Sequence, residues 1–183
     1  MSTVLLASRN AKKLAELRRV VAGAGIVGLE VIGLDDVPEF PEEPETGATF
    51  EENALIKARA GAAATGLPTL ADDSGIAVDA LNGMPGVLSA RWSGRHGEDA
   101  ANNELLLAQI SDVPEQRRGA AFVSACALVG VDGTEHVVRG EWRGHLLHAA
   151  RGVNGFGYDP LFVPDDELAA GRTSAELSGE EKD

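Results

Sequence analysis

Short apolar runs alternate with amphipathic segments in the first third of the chain. Residues 4–7 read Val-Leu-Leu-Ala, the pattern of a buried strand. Apolar residues then recur at helical spacing on one face: Leu14, Leu17, Val20 and Val21. Gly23 and Gly25 follow them, so this first helix is predicted to end there.

An acidic loop separates the first helix from a second one. Residues 35–47 contain three prolines, which exclude a helix in that stretch. Thr49 is followed three residues later by Glu52, the spacing of a capping box. A second helix is therefore predicted from this point to about Gly66.

The middle of the chain begins with an apolar strand that runs into two carboxylates. The strand is predicted at residues 69–72, where it meets Asp72 and Asp73, and a separate apolar segment follows at 76–81. A third helix is predicted near residues 98–110. One face of this predicted helix carries the apolar residues Ala101, Leu105 and Ala108.

The last third has the pattern of paired strands followed by loops. Segments 120–131 and 135–142 flank Asp132-Gly133, a dipeptide that predicts a β-hairpin. The residues from about Ser174 onward look like the start of a helix. Strand–helix alternation early in the chain, with an antiparallel pair later, predicts an α/β domain with a mixed sheet.

Composition and charge narrow the possible partners. A chain of 183 residues with 44% hydrophobic content is long enough for one well-buried domain. Its net charge of −13 argues against nucleic acid as a partner, because nucleic-acid binding relies on basic surfaces. The single cysteine, Cys126, lies in an apolar run and cannot form a disulfide within the chain. With no signal peptide and no apolar run of membrane-spanning length, the predicted location is the cytoplasm.

The adjacent carboxylates Asp72 and Asp73 are the first candidate for chemistry. Two like charges about 4 Å apart repel by roughly 4 kcal/mol at an effective dielectric constant near 20. A bound cation relieves that repulsion, and oxygen-rich sites suit Mg²⁺. The alternative is a solvated turn, in which Asp, Ser and Gly are ordinary residues. Successive side chains of an extended strand face opposite ways, so the two acids are not expected to share one role.

Three further segments bear groups that suit phosphates or metals. Residues 8–13 join the first strand to the first helix, where backbone N–H groups and lysines favour anions; the alternative is an Asn10 cap with solvated lysines. Glu45 offers a second metal carboxylate, unless its loop is simply solvated. Lys57 lies on the same helix face as Asn53 and reaches either a phosphate or water.

Residues 155–160 are a candidate for stacking against a base, rather than for binding a phosphate or a metal. Phe156 and Tyr158 alternate with glycines in a chain whose aromatic content is only 4%. Aromatic faces stack on purine bases, although such a loop also packs its aromatics into the core beneath it. Arg91 either faces a phosphate or pairs with one of the many acids.

In this order along the chain, these segments resemble the inosine triphosphate pyrophosphatase family in its bacterial form. The matching segments are 8–13, 45–58, 71–75, 85–91, 155–160 and 175–182. The resemblance implies an elongated α/β fold with two lobes, a central mixed sheet flanked by helices, and an active cleft between the lobes. It also implies a homodimer that hydrolyses dITP, ITP and XTP to monophosphate and pyrophosphate with Mg²⁺. Two alternatives are a pyrophosphatase for modified pyrimidine nucleotides and a nucleotide-binding module without turnover.

The resemblance also assigns roles to individual residues. Asp73 is the general base and a metal ligand, and Glu45 is the second metal carboxylate. The residues that hold the triphosphate are Ser8, Arg9, Asn10, Ala11, Lys12 and Lys13. The residues that contact the rest of the substrate are Ser74, Phe156, Gly157, Tyr158, Asp159 and Lys182. The supporting residues are Asp72, Lys57 and Arg91.

One part of the family pattern is missing from this sequence. The family continues beyond the lysine to a Ser-His-Arg element that recognises the 6-oxo purine, and this sequence stops at Asp183. The histidines of this chain lie elsewhere, at positions 96, 136, 145 and 148. We therefore expect residues 1–183 to be a single domain truncated at its C-terminus, with weak or poorly selective hydrolysis.

Overall fold

The computed structural model describes residues 2–166 and 170–182. Its strands are β1 (Ser2–Leu6), β2 (Leu29–Ile32), β3 (Thr69–Val78), β4 (Gly119–Val129), β5 (Glu135–Leu146) and β6 (Phe162–Pro164). Its α-helices are α1 (Ala11–Gly23), α2 (Phe50–Thr65), α3 (Asp99–Gln109) and α4 (Gly179–Lys182). Short 3-10 helices lie at Leu34–Asp36, Asp79–Leu81, Gly86–Arg91, Glu115–Arg117 and Ser174–Glu176.

The strands form one mixed sheet in the order β2-β1-β3-β4-β5-β6. β1 pairs in parallel with β2, where Ser2 lies opposite Leu29, and in parallel with β3, where Leu5 lies opposite Thr69. β5 and β6 pair antiparallel. The predicted α/β class with a mixed sheet is confirmed, as is the adjacency of β4 and β5 that the Asp132-Gly133 turn predicts.

Both early helices begin after a side-chain cap: Thr49 was the predicted cap of α2, and the Asn10 cap of α1 was the alternative reading of residues 8–13. Asn10 caps α1 and its side chain accepts a hydrogen bond from the backbone N–H of Lys12 at 3.0 Å. Thr49 caps α2 by accepting from the N–H of Glu52 at 3.2 Å. Gly66 ends α2 in the left-handed conformation that glycine favours. Across the described parts of the chain, no helix combines the length and apolarity that crossing a bilayer requires.

Two predictions about the middle elements were wrong. β3 does not end at the carboxylates but continues through Asp73 to Val78, so both acids lie within a ten-residue strand. The buried face of α3 carries Asn102 and Leu106 rather than Ala101, Leu105 and Ala108. A polar residue is tolerated there because Asn102 bonds to two backbone groups, so the apolar spacing alone pointed to the wrong face.

The chain divides into two compact units. The first comprises residues 1–73 and 124–139, and the second comprises residues 74–123 and 140–183. The single domain, the elongated two-lobed form and the cleft stay predictions.

The core of the first unit is built from small side chains. Ala54 and Ala58 of α2 are fully buried, together with Ala71 of β3 and Ala127 of β4. A Cβ atom on Gly61 would lie only 2.7 Å from Thr69 Cγ2. Small residues therefore let α2 approach the sheet closely, which fixes the side chains of α2 relative to β3.

The core of the second unit surrounds a buried arginine. Arg118 is 1% exposed, and its Nε and Nη2 donate to the carbonyl oxygens of Leu146 and Leu147 at 2.8 and 2.7 Å. Its Nη1 donates to the carbonyl oxygen of Ile110 at 2.6 Å, just beyond the end of α3. Burial lowers the pKa of Arg118, and the charge of Glu115 opposes that effect. Three neutral acceptors thus satisfy a buried cation.

Replacing Arg118 with methionine should destabilise the protein, because the carbonyl groups of Leu146 and Leu147 lose this donor, while that of Ile110 keeps the N–H of Val113. We expect Arg118→Met to lower the free energy of unfolding by at least about 2 kcal/mol, since each orphaned buried polar group costs about 1–3 kcal/mol. Urea denaturation measures the change. Arg117→Met is the matched control, because the adjacent Arg117 is exposed. Equal stability of the two variants would contradict this account of Arg118.

Candidate active site

The two adjacent carboxylates of β3 bond to different helices. Asp72 Oδ2 accepts a hydrogen bond from Lys13 Nζ of α1. Asp73 is 9% exposed, and its Oδ2 accepts from Asn53 Nδ2 of α2 at 2.9 Å. Alternation along the strand explains the division, because successive side chains point to opposite faces of a sheet. The two acids therefore have different partners, and their different roles stay a prediction.

The order of the first strands places both acids near the start of α1. The chain moves from β1 to β2 on one side and then to β3 on the other, and right-handed crossovers of this kind put α1 and α2 on opposite faces. The carboxyl ends of β1 and β3 are where such sheets leave a crevice for ligands. Residues 8–13 follow β1, and Asp72 and Asp73 lie just beyond the last β1–β3 register pair.

The predicted triphosphate segment, residues 8–13, is held mainly by local bonds. Ser8 Oγ accepts a hydrogen bond from the N–H of Asn10 at 3.2 Å. Arg9 is exposed and lies 3.1 Å from Glu42 of the acidic loop. Lys12 is exposed on the first turn of α1, and Ala11 is the first residue of that helix. Lys13 connects this segment to β3 through its hydrogen bond to Asp72.

Glu45 is connected to Asp73 through one lysine. Lys57 Nζ lies 2.6 Å from Glu45 Oε1 and 3.9 Å from Asp73 Oδ1. Both pairs are largely shielded from water, with the lysine side chain 19% exposed. The structure thus brings together the two predicted metal carboxylates and the predicted supporting lysine. An ammonium between two carboxylates offsets their mutual repulsion.

Cys126 of β4 lies near Asp72 and Lys13, whose charges both affect its thiol. It is half-buried, and burial is the largest cause that raises the pKa of its thiol, followed by the charge of Asp72. A raised thiol pKa keeps the group protonated at neutral pH, so Cys126 is a poor nucleophile.

In the second unit, the loop 155–160 holds one aromatic ring in the core and leaves another exposed. Tyr158 is 4% exposed, and its hydroxyl donates to the carbonyl oxygen of Ser89 at 2.8 Å. Burial raises the pKa of Tyr158, and the charge of Asp99 adds to the effect. Phe156 is 60% exposed. Tyr158 therefore fits the core-packing alternative, whereas Phe156 presents a surface for stacking.

Asp159 organises the end of the chain in this unit. Its Oδ2 lies 3.1 Å from Lys182 Nζ, and its Oδ1 accepts from Ser174 Oγ at 2.9 Å. Two of the predicted substrate residues, Asp159 and Lys182, are thus in direct contact. Ser74 is exposed on β3, and Arg91 is half-buried at the end of a 3-10 helix.

Sequence reasoning missed several residues that support these loops. Gly157 accepts a hydrogen bond from Asn103 Nδ2 at 2.9 Å and donates its N–H to Asp99 at 2.7 Å. The i,i+4 spacing of Asp99 and Asn103 on α3 was the available signal. Asn53 was noted only as a neighbour of Lys57 on α2.

Among the described residues, no group of three or more His, Cys, Asp or Glu side chains is arranged so that it could hold a metal ion. One open cavity of about 370 Å³ lies in the second unit and contains none of the predicted site residues. Its lining residues are Glu115, Gln116, Gly119, Arg143, Gly144, His145 and Asp165. The candidate site is therefore defined by its side chains and not by this cavity.

Comparison with known proteins decides the family. A profile of the Ham1 family matches residues 4–183, a range that includes every predicted site residue. The chain belongs to the Ham1 family.

Individual Ham1-family relatives match over nearly the whole chain. A Nocardia farcinica protein named dITP/XTP pyrophosphatase is 71% identical over 177 residues, which cover 96% of this chain and 86% of the relative. A Mycobacterium abscessus structure named nucleoside-triphosphatase / dITP/XTP pyrophosphatase is 64% identical with a TM-score of 0.84, and covers 98% of this chain and 90% of its own. A HAM1 protein from Coxiella burnetii is 39% identical with a TM-score of 0.87, over 100% of this chain and 90% of that one.

The terminal helix α4, which carries Lys182, depends on one carboxylate in this Ham1-family chain. The pKa of Glu181 falls from its ordinary value of 4.5 to about 2. The largest cause is the hydrogen bond from the N–H of Ser178, and the guanidinium of Arg172, 2.9 Å away, adds to it. A lowered carboxyl pKa stabilises the folded helix above pH 4.5, and that stabilisation is lost as the pH falls from about 4.5 towards 2.

Removing this carboxylate should loosen α4 at neutral pH and not in acid. We expect Glu181→Gln to accelerate amide hydrogen exchange of residues 178–182 several-fold at pH 7. The difference from the unmodified protein should vanish as the pH approaches 2, where Glu181 itself is protonated. Glu16→Gln, at an exposed position of α1, is the charge-matched control. A difference between Glu181→Gln and the unmodified protein that persists in acid would contradict the prediction.

Proposed function

We propose that this chain hydrolyses non-standard purine nucleoside triphosphates, such as dITP, ITP and XTP, to the monophosphate and pyrophosphate. The observation that carries the proposal is the cluster of Glu45, Lys57 and Asp73, in a chain 71% identical to a relative named dITP/XTP pyrophosphatase. This activity would remove aberrant purines from the nucleotide pool.

The proposed cofactor is Mg²⁺, held by Glu45 and Asp73. The two carboxylates face one ammonium, so their oxygens already surround a positive charge, and hard oxygen donors suit this ion. Water and phosphate oxygens would complete the coordination, as is usual for Mg²⁺. When bound, the ion would neutralise and orient the phosphate oxygens.

Asp73 is the proposed general base. Its carboxylate would accept a proton from a water molecule while the water oxygen attacks the α-phosphorus. The bond between that phosphorus and the bridging oxygen then breaks, and pyrophosphate leaves. Lys13 and Lys57 would stabilise the negative charge that develops on the phosphate oxygens. Asp72 would support the reaction by holding Lys13 through their hydrogen bond.

In the second unit, Phe156 and the Asp159–Lys182 pair are the proposed contacts of the purine nucleoside. The exposed Phe156 ring suits stacking, and the buried Tyr158 ring supports the loop from below. Ser74 and Arg91 are proposed substrate contacts on the grounds of the family resemblance. A homodimer and a cytoplasmic location are part of the same proposal.

Replacing Asp73 with asparagine tests the general base. We expect Asp73→Asn to lower kcat by roughly 10²–10⁴, the usual contribution of general-base catalysis, with a smaller change in KM. Pyrophosphate release from dITP measures the effect. Asp79→Asn is the matched control, because Asp79 is exposed and pairs with Arg143 outside the proposed site. An unchanged kcat in Asp73→Asn would remove Asp73 from the mechanism.

A substrate panel separates the proposed function from its alternatives. We expect pyrophosphate release from dITP and XTP in the presence of Mg²⁺, and no release in EDTA. Without the cation, the carboxylates would repel the negatively charged triphosphate. Release from 5-methyl-UTP in preference to dITP would favour a pyrimidine pyrophosphatase. Binding of nucleotide without release from any member of the panel would favour a binding module.

A further inference from the structure

Asn53 is a fully buried amide that connects three parts of the candidate site. It lies on the first turn of α2 and is 0% exposed. Its Nδ2 donates to Asp73 Oδ2 at 2.9 Å, and its Oδ1 accepts from the N–H of Gly47 at 2.8 Å. One side chain therefore links β3, α2 and the loop that carries Glu45.

The neighbours of Asn53 allow only one orientation of its amide group. If the amide were reversed, its oxygen would face the Asp73 carboxylate and its NH₂ group would face the N–H of Gly47. Both contacts would be repulsive, because each would place like partial charges together. The amide is thus oriented to give Asp73 a donor and Gly47 an acceptor.

The loop of Glu45 is seated closely on the start of α2. A Cβ atom on Gly47 would lie 2.6 Å from Glu52 Cβ and 2.7 Å from Asn53 Oδ1, so only glycine fits there. The N–H of Ala48 also donates to Glu52 Oε2 at 2.6 Å. These contacts fix where the loop meets the helix. Among the residues that make them, Asn53 also bonds to Asp73.

The hydrogen bond from Asn53 also determines which carboxylate oxygen of Asp73 faces Lys57. Oδ2 is bonded to Asn53, whereas Oδ1 lies 3.9 Å from Lys57 Nζ, the ammonium that contacts Glu45. The last torsion of an aspartate side chain is soft, so a carboxylate without a fixed partner rotates readily. A directional N–H donor at Oδ2 removes that freedom.

We propose that Asn53 is a positioning residue for the reaction, an inference that rests on the proposed function. It holds Asp73 so that Oδ1 is the oxygen presented to the cation and the attacking water. Through Gly47 it holds the Glu45 loop at the matching distance. Asn53 itself touches neither the substrate nor the cation.

The test is Asn53→Ala, assayed for metal affinity as well as turnover. We expect Mn²⁺ to bind the nucleotide-free variant about tenfold more weakly, and kcat for dITP to fall roughly 10–100-fold, the usual effect of losing a partner that orients a ligand. The KM for dITP should change little, because Asn53 makes no substrate contact. Calorimetry measures the Mn²⁺ affinity without any turnover.

Asn102→Ala is the matched control for loss of a buried amide. Asn102 is 2% exposed on α3, accepts from the N–H of Ser93 at 2.7 Å and donates to the carbonyl oxygen of Ala90. The Asn102→Ala variant should have a Tm lowered to a similar degree as that of Asn53→Ala, and its Mn²⁺ affinity should be unchanged. Should Asn53→Ala fail to fold, Asn53→Ser, which leaves room for a bridging water, takes its place in the same comparison.

The outcomes separate this inference from the proposed function. Wild-type Mn²⁺ affinity and kcat in Asn53→Ala would overturn the role of Asn53, as would a loss of affinity no greater than that of Asn102→Ala. A wild-type protein that binds no Mn²⁺ without nucleotide would also overturn it. If the wild-type protein releases no pyrophosphate from any nucleoside triphosphate, the proposed function fails, and the Mn²⁺ affinities still decide the role of Asn53.

Discussion

The alternation of side chains along β3 is the constraint on which the candidate site depends. Asp72 and Asp73 are adjacent in the chain, and the pleat sends them to opposite faces of the sheet. Each then meets a lysine from a different helix, Lys13 of α1 for Asp72 and Lys57 of α2 for Asp73. A one-residue shift in the register of β3 would exchange the two partners and separate Asp73 from Asn53.

The close packing of α2 against the sheet sets the distances between its side chains and those of β3. Ala71 of β3 and Ala127 of β4 lie in one core cluster with Ala54 and Ala58 of α2. Because these side chains are small, the helix lies near enough for Asn53 to reach Asp73 directly at 2.9 Å. Larger core residues would move α2 away from the strand and break that bond. The alanine core is thus a condition for the geometry of the carboxylates.

The sequence predicted those parts of the structure that local chemistry decides. The Thr49 cap was predicted, and the Asn10 cap was one of two readings of its segment, because a capping side chain bonds within three residues of itself. The end of β3 was predicted wrongly, because two acids and a glycine resemble a turn, whereas partners from α1 and α2 keep the strand extended. The buried face of α3 was also wrong, because Asn102 is satisfied by backbone groups that lie 9 and 12 residues away in the chain. Long-range partners of this kind leave no periodic signal.

Charge balance favours a cation at the proposed site. Around β3, the carboxylates of Glu45, Asp72 and Asp73 face the ammonium groups of Lys13 and Lys57, so negative groups exceed positive ones in this set. Lys57 lies between Glu45 and Asp73 and offsets their mutual repulsion, whereas Lys13 pairs with Asp72 alone. A triphosphate adds further negative charge. Lys13 and Lys57 do not balance that charge, because they already pair with carboxylates. A divalent cation between carboxylates and phosphates would reduce this excess of negative charge, and this supports the proposed Mg²⁺ independently of the family resemblance.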